Sequence, residues 1–193
     1  MTWLGIILAA GASRRIGRPK ALYRIDGETL VARSERALRG GGVRECLIVL
    51  GPPHGARIAV ETRAEVLLNP EPERGMLSSA ALAAQAALAR RELTGAVLAL
   101  IDHPHARAST IQTLIAHAAL GSAWVVRPAS GGRRGHPIVL TRPALAAVAA
   151  APSHRRLCDV LRDLPGLDVP IADPAVLEDL DTPGELARAG ALP

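Results

Sequence analysis

Leu8-Ala-Ala-Gly-Ala-Ser-Arg-Arg-Ile-Gly-Arg-Pro-Lys-Ala-Leu22 decides how this chain is read. It overlaps the end of an unbroken apolar run, Trp3 to Ala10, with the length and branching of a buried parallel strand. The run stops at Gly11, and three arginines, a second glycine and Lys20 follow within ten residues. Small residues let backbone N–H groups approach an anion, and the cations neutralise it. A strand opening directly into such a loop is how an α/β protein holds a polyphosphate at the C-terminal edge of its sheet. The spacing departs from the commoner phosphate loops. Five residues separate Gly11 from Gly17, Lys20 is followed by Ala21 rather than Ser or Thr, and no G-x-G-x-x-G occurs. A basic loop without a ligand is the bland alternative. The Lys20 ammonium is expected to face solvent from this loop.

At 193 residues the chain fits one domain, 1–193, large enough to bury a core without disulfides or metals. Phe is absent and aromatics make up 2% of the chain, so the core must be built from Leu, Val, Ile and Ala. A net charge of +5 points to anionic partners. Nucleic acid is disfavoured, because stacking platforms need aromatic rings and the arginines are scattered apart from the loop and Arg133-Arg134. A small polyanion fits better. Cys46 and Cys158 lie far apart without paired spacing, and Cys46 reads as core. Trp3 to Ala10 lacks a preceding basic residue and leads into a functional loop, so it does not read as a signal peptide. No apolar run is long enough to span a membrane, and a cytoplasmic protein is expected.

Further along, the spacing predicts helices over 28–38, 55–62, 77–91, 109–119, 143–150, 153–164 and 183–189. Ser109 and Thr182 are candidate caps, and strands are expected at 47–50, 65–68, 96–101, 123–126, 137–140 and 167–171. Strands alternating with helices imply a mostly parallel sheet covered on both faces.

Four constellations on this frame can carry chemistry. Asp102, expected at the end of a buried strand, lies where α/β sheets bind ligands and could hold a cation against phosphates, or serve as a turn former before Pro104. His103 and His105 beside it hint at a transition-metal site but lack a third spaced ligand. Asp179 and Asp181 alternate on an extended segment and could share a cation, or simply precede a helix capped by Thr182. Gly75-Met-Leu-Ser-Ser79 at a helix start offers N–H groups and hydroxyls to a base, ribose or phosphate, or mere capping. Gly131-Gly-Arg-Arg-Gly-His-Pro137 suits an anionic second substrate, or is a solvated hairpin tip.

The opening stretch resembles the L-A-A-G-x-S-x-R-M-G-x-P-K-x-L signature of nucleotidyltransferases, with Ile16 in place of Met. Within that group it is most similar to the molybdenum cofactor cytidylyltransferase family. The resemblance extends over Asn69 to Ser79, Asp102 to Pro104, Gly132 to Pro137 and Asp179 to Pro183. It implies a three-layer, Rossmann-like nucleotidyltransferase fold that uses CTP and Mg2+, transfers CMP to the terminal phosphate of molybdopterin and releases pyrophosphate. The Leu-Ala-Ala-Gly form resembles cytidylyl members, whereas guanylyl members tend to read Leu-Ala-Gly-Gly.

Carried over position by position, Arg15, Lys20 and Asp102 are catalytic. Leu8, Ala9, Ala10, Gly11, Ser13, Arg15, Lys20, Gly75 and Ser79 bind the nucleotide. Asp102 and Asp181 hold Mg2+, and Gly135 and His136 face the acceptor. Two positions depart from the family: Ile101 stands where glycine is usual, narrowing the space near the nucleotide, and His103 replaces a commoner Gln or Met. Alternative acceptors are a sugar or polyol phosphate, and GTP is an alternative donor. A reading from another class is a non-catalytic carrier that delivers finished cofactor to a client molybdoenzyme. The carboxylates and Lys20 argue against it, since carrying alone needs no metal ligands.

Overall fold

The computed structural model describes residues 1–11, 13 and 16–192. β1 (Thr2–Leu8) opens the chain, followed by a 3-10 turn at Lys20–Leu22 and a small hairpin of β2 (Arg24–Ile25) and β3 (Glu28–Thr29). Next come α1 (Leu30–Gly40), β4 (Glu45–Leu50), α2 (Gly55–Ala59), β5 (Glu65–Leu68), α3 (Met76–Leu88), β6 (Leu93–Leu100) and α4 (Ala108–Ala119). The C-terminal half adds β7 (Val125–Ser130), β8 (Arg133–Arg134), β9 (Ile138–Thr141), α5 (Arg142–Ala149), α6 (Leu157–Arg162), β10 (Gly166–Pro170) and α7 (Pro183–Arg188).

The central sheet runs β10-β7-β9-β6-β1-β4-β5, with β8 paired to β7. β1 pairs parallel with β4 and β6, β4 with β5, and β7 with β10; β9 runs antiparallel to both β6 and β7. The expected mixed α/β architecture with a mostly parallel sheet is what the chain adopts. Period-two alternation explains the uniformly apolar strands. In β1 and just beyond it, Leu4, Ile6, Leu8 and Ala10 face one layer, built by α3, α5 and α6. Trp3, Ile7 and Ala9 face the other, built by α1, α2 and α4. Without Phe, close helix–sheet packing is met by alanines: Ala80, Ala83, Ala84 and Ala87 of α3 are all buried. A third, small cluster joins Ile25 and Leu30 to Leu180, Leu186 and Ala191, pinning the C-terminal segment against the β2–β3 hairpin. Among the described residues no helix is long and apolar enough to cross a membrane.

Several boundaries differ from expectation for local reasons. Glu28 does not begin α1. Asp26 and Gly27 both have positive φ (53° and 80°), the geometry of a tight hairpin turn, so Glu28–Thr29 pairs with Arg24–Ile25. The Thr29 side chain then caps α1 by accepting from the Ala32 N–H. Helix α4 starts at Ala108, so Ser109 lies in its first turn and is not its cap. Only Leu157–Arg162 of 153–164 is helical, because Arg156 is extended at φ −89°, ψ 145°. β6 stops at Leu100, two residues short of Asp102, which sits in a turn where the His103 N–H returns to the Leu100 carbonyl.

Candidate active site

The C-terminal ends of β1, β4 and β6 open on a cavity of about 990 Å3. One wall comes from the glycine-arginine loop: Leu8, Ala10, Gly11, Ser13, Ile16 and Lys20. A second comes from the segments after β4 and β5 and the start of α3: Pro52, Pro53, Pro72, Glu73, Gly75, Met76 and Ser79. Leu100, Ile101, Asp102 and Asp181 close it. Of the nucleotide-binding candidates, Ala9 does not line the cavity; its side chain packs in the opposite core layer, and its N–H donates to the Val49 carbonyl. Arg15 lies outside the described residues. Ile101 meets the cavity and also packs against two core clusters, so its branched side chain is both wall and wedge.

The expectation that Lys20 faces solvent is wrong. It is 9% exposed, and its ammonium sits between two carboxylates, 2.8 Å from Asp181 Oδ1 and 4.0 Å from Asp102 Oδ2. Two acids at one cation's distance repel unless positive charge lies between them, and the lysine supplies it. The loop itself is organised by Ser13, at φ 47°, whose Oγ accepts from the Lys20 backbone N–H at 3.0 Å. That bond commits the serine hydroxyl to shaping the loop and leaves its proton available to a ligand.

Each carboxylate is held by a separate device. The Asp102 carbonyl accepts from the Leu180 N–H at 2.9 Å, which ties the turn after β6 to the C-terminal segment. Asp102 Oδ1 is buried with no hydrogen-bond partner among the described residues. Asp181 is placed by the start of α7, where Thr182 and Glu185 form a capping box. Glu185 Oε2 accepts from the N–H groups of both Asp181 and Thr182 at 2.8 Å. The hydrogen bond with Thr182, then those backbone bonds, keep the Glu185 carboxyl below its usual range. Thr182 is thus the cap the sequence suggested. Asp179, its alternating neighbour, is exposed and does not line the cavity.

A buried carboxylate oxygen without a partner among the described residues, on a residue lining the same cavity as a second carboxylate, suits a hard cation. Mg2+ is held by one or two carboxylates together with substrate phosphates, and it retains waters. Among the described residues no group of three or more His, Cys, Asp and Glu could hold a metal, so a fully protein-caged ion does not fit. The histidine pair hinted at in the sequence diverges: His103 meets His136 in a tilted contact, ring centroids 4.8 Å apart at 46°, while His105 turns to Glu178 at 3.9 Å.

On the wall built by the start of α3, Gly75 precedes the helix at φ 94°, ψ 175°, a conformation that side chains rarely adopt. It leaves the start of α3 without a side-chain cap, its first N–H groups beside the cavity. Ser79 is buried there and bonded to Asn69. Pro52 and Pro53 carry no signal of site membership, since prolines read as punctuation; Asn69, Pro72 and Met76 fall within the Asn69-to-Ser79 stretch that matches the family but take no role of their own from it.

The two acceptor candidates stand back from the cavity. Gly135 is required by packing, since an added Cβ would lie 2.1 Å from the Val176 carbonyl oxygen. The His136 N–H donates to that same carbonyl at 2.9 Å. Burial, and secondarily the neighbouring His103, push the His136 imidazole down to about 3, so it is neutral near pH 7. The arginines beside them turn elsewhere: Arg134 Nε bonds Asp168 at 2.8 Å, and Arg133 is exposed.

A family model described as the MobA-like NTP transferase domain matches residues 5–171. The chain is 31% identical over 204 aligned positions to a protein of Paenarthrobacter nicotinovorans named nicotine blue oxidoreductase, covering 95% of this chain and 94% of that one. It is 38% identical over 128 positions to a probable molybdenum cofactor guanylyltransferase of Opitutus terrae, covering 66% and 61%. Among solved structures, Rv0371c from Mycobacterium tuberculosis H37Rv superposes with a TM-score of 0.80 at 23% identity over 97% of each chain, a likeness of fold. The cavity and the family match lead to one conclusion: the chain belongs to the MobA-like NTP transferase family and is an enzyme of the nucleotidyltransferase type.

Proposed function

We propose that the protein transfers CMP from CTP to the terminal phosphate of molybdopterin, releasing pyrophosphate with Mg2+ as cofactor. The observation that carries the reading is Lys20 set between Asp102 and Asp181 on a cavity that the loop after β1 also lines. An acceptor phosphate oxygen attacks the α-phosphorus, the bond to the β-phosphate breaks, and pyrophosphate leaves. The nucleophile is already an anion, so the protein's task is to bring two anions together and to stabilise the developing charge.

Lys20 and Arg15 take the triphosphate, with Leu8, Ala10, Gly11 and Ser13 forming the cradle and Ala9, turned into the core, behind it. Asp102 and Asp181 hold Mg2+, which when bound neutralises phosphate charge and orients the leaving group. Gly75 and Ser79 receive the nucleoside, and Gly135 and His136 border the acceptor side. Ala10 in place of glycine favours CTP over GTP. The decisive experiment presents each of the four NTPs with molybdopterin, and in parallel with a sugar or polyol phosphate, and scores pyrophosphate. GTP turning over at or above CTP overturns the base assignment. Turnover with a sugar or polyol phosphate instead overturns the acceptor, and no release with any pair overturns the transfer reading in favour of a carrier for a client molybdoenzyme.

A redox reading has one observation in its favour, the similarity to the oxidoreductase over 95% of the chain. Hydride transfer needs neither the acid pair nor its lysine, which is why nucleotidyl transfer is preferred. NAD(P)H oxidation followed in the same preparation separates the two.

A further inference from the structure

We propose that Asn69 is a positioning residue that fixes Ser79 as a one-way hydrogen-bond donor to the nucleoside half of the bound nucleotide, an inference resting on the nucleotide reading above. Asn69 follows β5 and is 2% exposed. Its backbone N–H donates to the Leu50 carbonyl at 2.7 Å, which anchors it to the end of β4. Its side chain is fully engaged. Oδ1 accepts from the Glu71 N–H at 3.0 Å, and Nδ2 donates to Ser78 Oγ at 2.8 Å and to Ser79 Oγ at 2.9 Å.

The direction of these bonds follows from the chemistry and does not depend on which way the amide was drawn. A backbone N–H offers only a proton, so the atom facing Glu71 must be the oxygen and the NH2 must face the serines. Ser78 passes its own proton on to the Gly75 carbonyl at 2.8 Å. Ser79 receives a proton from Asn69, and its own goes to no acceptor among the described residues. It is 3% exposed and lines the cavity. A buried hydroxyl in this state is unsatisfied until a ligand brings an acceptor.

The surroundings of Ser79 select which part of the ligand brings it. The neighbouring lining residues Pro72, Gly75 and Met76 carry no cation, and Glu73 carries a negative charge. Although the first N–H groups of α3 are nearby, no side-chain cation here matches Lys20 on the loop wall, so the triphosphate is drawn to the Lys20 side and a base carbonyl, a ring nitrogen or a ribose oxygen is left to Ser79. Asn69 therefore sets the polarity with which the protein reads the nucleoside, without touching it.

Asn69→Asp tests this, since the carboxylate is nearly isosteric but can only accept. Ser79 must then turn its proton towards the carboxylate and present a lone pair to the ligand. By calorimetric titration in Mg2+, CTP affinity is expected to fall on the order of tenfold or more, with GTP titrated in parallel. Inorganic tripolyphosphate should bind as it does to the wild type. Ser79→Ala should show the same selective loss, and the double variant should be no weaker than Ser79→Ala alone. A merely structural Asn69 would weaken both ligands together. Unchanged CTP affinity in Asn69→Asp, losses that multiply in the double variant, or an equal loss of tripolyphosphate each overturn the proposal. If Asn69→Asp shows no cooperative thermal transition, Ser79→Ala decides alone: selective loss of CTP supports the proposal and intact CTP binding overturns it. A wild-type protein that binds tripolyphosphate but neither CTP nor GTP overturns the nucleotide reading itself, and this inference with it.

Discussion

Replacing Lys20 with alanine removes the cation that two acids share. At an effective dielectric of about 20, a unit charge pair gains about 6 kcal/mol at the 2.8 Å seen to Asp181 and about 4 kcal/mol at the 4.0 Å seen to Asp102. Desolvating the ammonium cancels much of that gain, and the Asp181 and Asp102 side chains are 43% and 25% exposed, so solvent screens the remainder. A net loss of about 2 kcal/mol is expected, which is a fall of about 4–8 °C in Tm for a domain of this size. The fold survives. Without nucleotide, Mg2+ should restore more of the Tm of Lys20→Ala than it adds to the wild type, because ammonium and metal compete for the same oxygens. Turnover should nonetheless fall on the order of a hundredfold, since Mg2+ does not replace the donor lost from the phosphates. The assays are thermal melts in EDTA and in Mg2+, and pyrophosphate release. Near wild-type release from folded Lys20→Ala, or an identical Mg2+ response in both proteins, refutes the reasoning.

Asp102→Asn and Asp181→Asn should each cut Mg2+-dependent turnover strongly, with the double variant little worse than either; effects that multiply fully argue against a shared ion. In metal-free melts each single variant leaves Lys20 one carboxylate, so the double should lose more Tm than the two singles summed. Glu185→Ala should lower turnover several-fold with Arg15 and Lys20 intact, because the Asp181 and Thr182 N–H groups lose their acceptor; unchanged activity would show that Asp181 is placed without the capping box. His136 is held at about 3 against an ordinary 6.5, so below pH 6.5 the unfolded chain takes up a proton that the folded chain refuses. Stability is then full above pH 6.5 and falls as pH drops towards 3, with a slope from this group of at most about 1.4 kcal/mol per pH unit. His136→Gln should flatten Tm against pH across that window, and an unaltered profile counts against a neutral buried imidazole.

Much of this architecture can be read from the chain because a strand buried on both faces declares itself. β1, β4 and β6 are dominated by apolar runs, and the last residues of β1 and β6, with Pro52 and Pro53 just past β4, line the cavity. Two-residue strands declare nothing, so the β2–β3 hairpin leaves no mark in the sequence beyond its Asp26-Gly27 turn. Lys20 looked solvent-facing because the carboxylate it bonds, Asp181, lies 161 positions away, and no local pattern announces so distant an ion pair. Asn69 was legible only as the first residue of a stretch matching the family; its bonds to Leu50, Glu71, Ser78 and Ser79 appear only in the folded chain. The acceptor motif was legible as a motif, but Gly135 is explained by the Val176 carbonyl above it, a contact that only the folded chain brings about.

The segment that carries Asp181 is separable from the sheet it serves. The last strand of the sheet ends at Pro170, whereas Asp181 arrives on a stretch fastened by a five-residue cluster, the Leu180-to-Asp102 bond and the Arg24–Leu192 bridge. A chain cut after Pro170 would keep every strand of the sheet and lose Asp181 from the cavity, leaving the Lys20 ammonium with Asp102 as its described acidic neighbour. Strand pairing and completion of the cavity thus draw on different parts of the chain.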